Sequence, residues 1–229
     1  MPWMQVDGAY MSMSGRHKKS VKSQMKFSII IPTFNEEKEI FTTLTALTNL
    51  EYKNKEIIVV DDSTDNTSKI IEKHFHESVI IIKPKQRRGR CEARNIGIRQ
   101  ATGDILIILN ADVLLPKDFI SKIKVHYDQG YDSVTVMAAV KNQGRCYARY
   151  VDALSVKKEK LGKYQERKIT NKGIYWSEGF SVRRQMALKT NLFPTGHSIP
   201  IEAGEDVEFV NSLRRNQCKG IIDEHIADR

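Results

Sequence analysis

The chain has 229 residues, 40% of them hydrophobic, with three cysteines and a formal net charge of +9 from 37 Lys and Arg against 28 Asp and Glu. That is enough apolar material for one α/β domain with a full core and no disulfide support. Cys91, Cys146 and Cys218 are odd in number, widely spaced and outside any C-x-x-C or Cys/His metal pattern, which predicts reduced thiols and a cytoplasmic setting. No uninterrupted apolar run approaches the ~18 residues of a spanning helix, and no apolar block follows Lys18, Lys19 and Lys22 as a secretory signal requires. The positive charge suits an anionic ligand, an anionic membrane surface or nucleic acid, and does not choose among them.

Residues 1–25 are polar, Met- and Ser-rich and without periodicity, and are expected to form a disordered or loosely attached basic extension. The pattern then changes. Phe27 to Ile31 is an apolar, β-rich run predicted as a buried strand that stops at Pro32. Ile40, Leu44, Leu47 and Leu50 recur at helical spacing, and Glu56 to Val60 is a second buried strand. A helix carrying Ile70, Ile71 and Phe75 follows, then a third strand over Val79 to Ile82. A helix from Gly89 to Ala101 precedes a fourth strand over Asp104 to Leu109. Pro116, suited to a helix start, opens a segment with Phe119, Ile120 and Ile123, and Asp132 to Val140 reads as a fifth strand. Strands that are continuous apolar runs, alternating with helices, predict a Rossmann-like α/β fold: a mostly parallel central sheet with helices on both faces.

In such sheets ligands bind beyond the carboxyl ends of the strands. Pro32-Thr-Phe-Asn-Glu36, Asp61-Asp62-Ser63 and Asn110-Ala-Asp112 occupy those positions, so carboxylates, amides and hydroxyls converge on one crevice. Taken singly, Asn35, Ser63 or Thr64 also suits a helix N-cap. Together the segments resemble the opening of the family 2 glycosyltransferases. Glu92-Ala-Arg-Asn-Ile-Gly97 is similar to that family's A-R-N-x-G helix, and Leu109-Asn-Ala-Asp112 stands where it has a D-x-D motif. Gly179 to Arg184 and Gly204-Glu-Asp-Val-Glu208 match two later blocks, in order.

The resemblance implies a GT-A fold over residues 26–229, with a nucleotide-binding half over 26–112 and a donor-sugar and acceptor half over 113–229. It implies an inverting transferase that moves one sugar from a nucleotide-diphosphate sugar to an acceptor hydroxyl or lipid phosphate. Pro32, Thr33, Asn35, Glu36, Asp62, Arg94, Asn110 and Asp112 would form the nucleotide site. Asp112 would ligate Mg²⁺ or Mn²⁺, with Asn110 a weaker neighbour, because oxygen ligands suit those hard cations. Asn110 departs from the family pattern: it keeps a carbonyl acceptor but loses a charge. Asp206 would be the general base, Glu205 would contact donor or acceptor hydroxyls, and Gly179 and Phe180 would line the sugar. Glu205 and Asp206 also suit a helix N-terminus on electrostatic grounds alone. His225 is a further metal candidate, although a lone His is more often structural.

Gln143 to Gly173 carries Tyr147, Tyr150, Val151, Leu154 and Leu161 on one helical face and many basic residues elsewhere. It reads as a basic amphipathic helix suited either to the core or to peripheral contact with an anionic membrane and a lipid-linked acceptor. The Q-x-x-R-W block of processive synthases is not visible, so the expected acceptor is a glycan or a lipid-linked group that receives one sugar. No nucleic-acid partner is expected. The rival reading is a non-catalytic nucleotide-sugar or anionic-ligand binding module on the same fold, which would tolerate Asn110 and explain the charge.

Overall fold

The computed structural model describes residues 24–87, 89–136, 179–195 and 204–223. Most of the N-terminal extension, the segment from Gln143 to Gly173, the end of the fifth predicted strand and His225 lie outside the described residues.

Seven described strands form one sheet: β1 (Phe27–Thr33), β2 (Lys55–Asp61), β3 (Ile80–Ile82), β4 (Ile105–Ile108), β5 (Ser133–Val136), β6 (Phe180–Arg183) and β7 (Gly220–Asp223). Their order is β3-β2-β1-β4-β6-β5-β7. All neighbours pair in parallel except at β6, which runs antiparallel to β4 and to β5. The helices are α1 (Ile40–Thr48), α2 (Thr67–Phe75), α3 (Gly89–Gln100), α4 (Phe119–Asp128), α5 (Arg184–Leu188) and α6 (Glu205–Arg215).

The period of two along each strand sorts the core into two layers. Ile29, Ile31, Ile57, Val59, Ile105 and Ile107 pack on one face with Leu44, Leu47, Ile71, Ile120 and Ile123 of α1, α2 and α4. Ile30, Ile58, Val60, Leu106 and Ile108 pack on the other with Ala93, Ile98, Phe209 and Leu213 of α3 and α6. Each such side chain, when fully buried, contributes on the order of 1.5–3 kcal/mol. Strands apolar on both faces therefore had to lie between two helical layers, as their sequence predicts.

The boundary at Pro32 differs from the expectation. β1 does not stop at Pro32 but continues through it to Thr33, paired with Asp61. Ile30 turns its carbonyl to β4, where it accepts from Leu109 N. Pro32 is in phase with Ile30, so its missing N–H falls on the β4 side, where pairing has already ended at Ile30 opposite Ile108. The proline removes no ladder bond there.

Helix α3 sits tightly on β1. A Cβ on Gly97 would lie 2.4 Å from Ile30 Cγ2, and Ile30 is buried and stiff at χ1. Gly97→Ala is expected to destabilise the domain by about 1–3 kcal/mol through overpacking, despite alanine's better helix propensity. Urea denaturation checks this, and an unchanged midpoint would contradict it.

At the end of the sheet away from the crevice, Glu56 accepts from Lys26 Nζ (2.7 Å), Ser28 Oγ (2.6 Å), Thr102 N (2.7 Å) and Thr102 Oγ1 (2.8 Å). Burial pushes this carboxyl up, but the bonds outweigh it and hold it at about 2, below its ordinary 4.5. A depressed carboxylate stabilises the fold above its unfolded pKa, and that contribution is lost as pH falls from 4.5 toward 2. Glu56→Gln is expected to cost about 2 kcal/mol at pH 7, allowing for solvent screening at Lys26. The gap between wild type and variant should narrow as denaturation is repeated down to pH 2.5.

Candidate active site

The carboxyl ends of β1, β2 and β4 open onto one crevice, and because β6 is antiparallel its first residue, Phe180, lies beside Ile108 at that same end. The loops after β1 and β2 are bound to each other. Asn35, at φ 58°, donates its N–H to Ser63 Oγ (2.8 Å) and accepts from Thr64 N (2.9 Å). Glu36 N donates to Thr67 Oγ1 at 2.9 Å, and Glu37 accepts from Asn66 N at 3.2 Å. Asn35, Ser63 and Thr64 thus join two loops and do not cap helices. The residues flanking the starts of α1 and α2 are Glu39 and Asn66, neither of which makes a side-chain cap bond.

Of the adjacent aspartates, Asp61 is taken up by the fold. It is buried and accepts from Thr33 Oγ1 (2.7 Å), Ser63 N (3.2 Å) and Ser68 Oγ. Asp62 is half-buried, and its Oδ2 accepts from Gly89 N at 2.9 Å, drawing the start of α3 toward the β2 end. Phe34 is exposed at the crevice lip, with the Arg87 guanidinium 3.9 Å over its ring.

After β4 the backbone is held from α1, where Thr43 Oγ1 donates to Ala111 O at 2.5 Å. This leaves Asn110 half-buried and Asp112 exposed. Burial pushes the Glu36 carboxyl up, and the nearby Asp112 charge adds to it. Among the described residues no group of three His, Cys, Asp or Glu could hold a metal alone. Asp112 fits a different kind of site, in which a hard cation keeps one or two carboxylates and completes its shell with phosphate oxygens and water.

The A-R-N-x-G helix performs a structural task that sequence reasoning missed. Arg94 is fully buried; it donates from Nη1 to Glu205 Oε1 at 2.9 Å and from Nη2 to Asn110 Oδ1 at 3.1 Å. Burial pushes the guanidinium down and Glu205 counters this. Its charged group also lies 5.0 Å over the Phe193 ring, which stacks on Phe209 at 4.4 Å. Asn95 clamps the same segment, donating to Phe193 O and accepting from Phe193 N, both at 2.9 Å. Thr43, Asn95 and Phe193 gave no signal beyond their place beside apolar stripes and motifs.

Glu205 opens α6, is 5% exposed, and receives a second cation, Arg90 Nε, 3.2 Å from the same Oε1. Asp206 follows, half-buried, accepting from Val207 N at 2.9 Å. Gly204 before it is left-handed at φ 92°. Gly179 is also left-handed, at φ 75°, and packs on Val136; Phe180 is buried edge-on to Phe209. Cys91 is no activated nucleophile, since burial and then the Glu205 charge push its thiol up. The crevice therefore combines paired polar loops, one exposed aspartate and two carboxylates at a helix start, with a buried arginine joining Asn110 to the first of those carboxylates.

The model of glycosyl transferase family 2 matches residues 28–192 of the chain. The chain belongs to that family. Family 2 relatives in the curated set include the poly(ribitol-phosphate) beta-N-acetylglucosaminyltransferase TarS of Staphylococcus aureus, 29% identical over 126 residues, covering 53% of this chain and 22% of TarS. The uncharacterized glycosyltransferase YfnE of Bacillus subtilis is 36% identical over 109 residues, covering 46% of this chain and 28% of YfnE. The chain thus matches less than a third of the length of these relatives. Among solved structures, TarS 1–349 in complex with UDP-GlcNAc superposes with a TM-score of 0.70 at 23% identity, covering 89% of this chain and 57% of that one. A Pyrobaculum calidifontis mannosyltransferase in complex with GDP-Man and Mn²⁺ superposes at 0.67 and 23% identity, covering 90% and 56%. The likeness shows a GT-A fold, as the family 2 motifs predict.

Proposed function

We propose that this family 2 chain is the donor-binding and catalytic domain of an inverting glycosyltransferase that moves a single sugar from a UDP- or GDP-sugar to an acceptor hydroxyl or lipid phosphate. The observation that carries the reading is the buried Arg94, which ties Asn110 after β4 to Glu205 at the start of α6. On this reading the tie would bring the metal and diphosphate end of the site beside the carboxylate pair.

Pro32, Thr33, Asn35, Glu36 and Asp62 would form the nucleoside wall, with Phe34 offering a ring face to the base. Asp112 would hold a divalent cation together with the diphosphate oxygens; when bound, such a cation neutralises charge on the leaving group. Arg90, half-exposed beside Glu205, is a second positive group for the diphosphate. Glu205, fixed by two arginines, would accept from a donor-sugar hydroxyl near Gly179 and Phe180. Asp206 would take the proton of the acceptor hydroxyl as its oxygen bonds to the anomeric carbon and the carbon–phosphate-oxygen bond breaks, the electron pair leaving with the nucleoside diphosphate. One displacement from the opposite face inverts the anomeric configuration.

TarS carries UDP-GlcNAc in its solved complex and the Pyrobaculum enzyme carries GDP-Man with Mn²⁺, so these are the donors to try first. Peripheral contact with an anionic membrane at a cytoplasmic face belongs to the same proposal; among the described residues no helix is long and apolar enough to cross a membrane. The test is nucleotide release and calorimetric binding with both donors, with and without Mn²⁺. Release that depends on Mn²⁺ supports the reading. No binding of either nucleotide to folded protein would sink it. Asn110 at the D-x-D position favours one rival, the non-catalytic module, which predicts binding without release in any condition.

A further inference from the structure

The loop after β4 sends its two polar side chains to different places. Thr43 from α1 holds Ala111 O, and Arg94 from α3 takes Asn110 Oδ1. Asp112 remains exposed. A guanidinium has donors and no acceptor, so the contact with Arg94 can be made only by the amide oxygen of Asn110 and not by its nitrogen. That settles the amide's orientation chemically. The one atom through which an asparagine could ligate a hard cation is thus 3.1 Å from a buried positive charge. The surroundings reinforce this. Arg94 and Arg90 both converge on Glu205 Oε1, and a cation on Asn110 Oδ1 would sit directly beside the first of those guanidinium charges.

We propose that Arg94 is a positioning residue that holds Asn110 with its oxygen on the buried guanidinium and out of the metal's coordination, while the same fork fixes Glu205 at the start of α6. The inference deepens the transferase reading by assigning the cation to the Asp112 side alone. Residue 110 then contributes to the alignment of β4 with α6 and not to metal affinity.

The test uses Mn²⁺ alone, titrated into the millimolar range that binding by a single carboxylate requires, and followed by the free-ion signal in electron paramagnetic resonance, so that it is independent of nucleotide binding and turnover. Asn110→Asp places a carboxylate at the position, and Arg94 should sequester it, so Mn²⁺ affinity is expected to change by less than about threefold. Adding Arg94→Gln should release that carboxylate and tighten Mn²⁺ by about tenfold or more relative to Asn110→Asp alone. Tenfold tightening in Asn110→Asp by itself would overturn the proposal, because residue 110 would then face the metal. No gain in the double variant would also overturn it, because Arg94 would not be what withholds the position. If the double variant does not fold, Asn110→Ala decides: unchanged Mn²⁺ binding supports the lock, and weakened binding refutes it. Failure of the transferase reading shows separately, in the nucleotide measurements.

Discussion

Arg94→Met is expected to lower the unfolding free energy by about 3 kcal/mol, one of the two largest effects expected from a single change in this chain. The guanidinium is fully buried and Glu205 nearly so, and removing one partner of a buried pair leaves an uncompensated charge at a cost of about 3–5 kcal/mol. The lower end applies because Arg90 Nε remains 3.2 Å from Glu205 Oε1. Asn110 Oδ1 loses one donor and Phe193 loses the cation over its ring, contributions of about 1 kcal/mol each at most that fall within that figure. Urea denaturation measures the loss, and a cycle with Glu205→Gln tests its cause. With the carboxylate neutralised, most of the penalty should vanish, giving a coupling of about 2 kcal/mol. A loss below 1 kcal/mol, or no suppression by Glu205→Gln, would refute the charge-pair account.

Asp206→Asn is expected to reduce kcat for transfer by about 10²- to 10⁴-fold, the range for loss of a positioned general base. The change is isosteric and keeps an oxygen to accept from Val207 N, the bond Asp206 makes now, so the start of α6 should be undisturbed. Nucleotide affinity and melting temperature are therefore expected to stay near wild type. The separation of an unchanged Kd from a collapsed kcat identifies a group acting in the transition state. A variant that retains more than a tenth of the wild-type rate would remove Asp206 from the base role.

Most of the fold was legible because hydrophobic burial leaves a direct trace. The Ile-rich runs of β1, β2 and β4 are apolar at every position, which only a sheet covered on both faces can satisfy, and both layers are present. The crevice was legible for a related reason. Polar residues directly after buried strands have no packing task, so Asp62, Asn110 and Asp112 stood out. The extension of β1 through Pro32 was not readable, since it depends on where the neighbour's pairing ends. Nor could the placement of β6 between β4 and β5 be read from a four-residue run.

The sequence by itself determined the family, the strand-and-helix succession and the set of polar residues that crowd one end of the sheet, because each leaves a local pattern of residue types. Only the tertiary structure decided what those residues touch. Asp61 is consumed by Thr33 and Ser68 while its neighbour Asp62 bonds the start of α3. Arg94, expected from its motif at the nucleotide, has its guanidinium on Glu205, 111 positions away, and on Asn110. A side chain's partner across such a separation is set by how helices seat on a sheet, here by Gly97 against Ile30, and no local pattern encodes it.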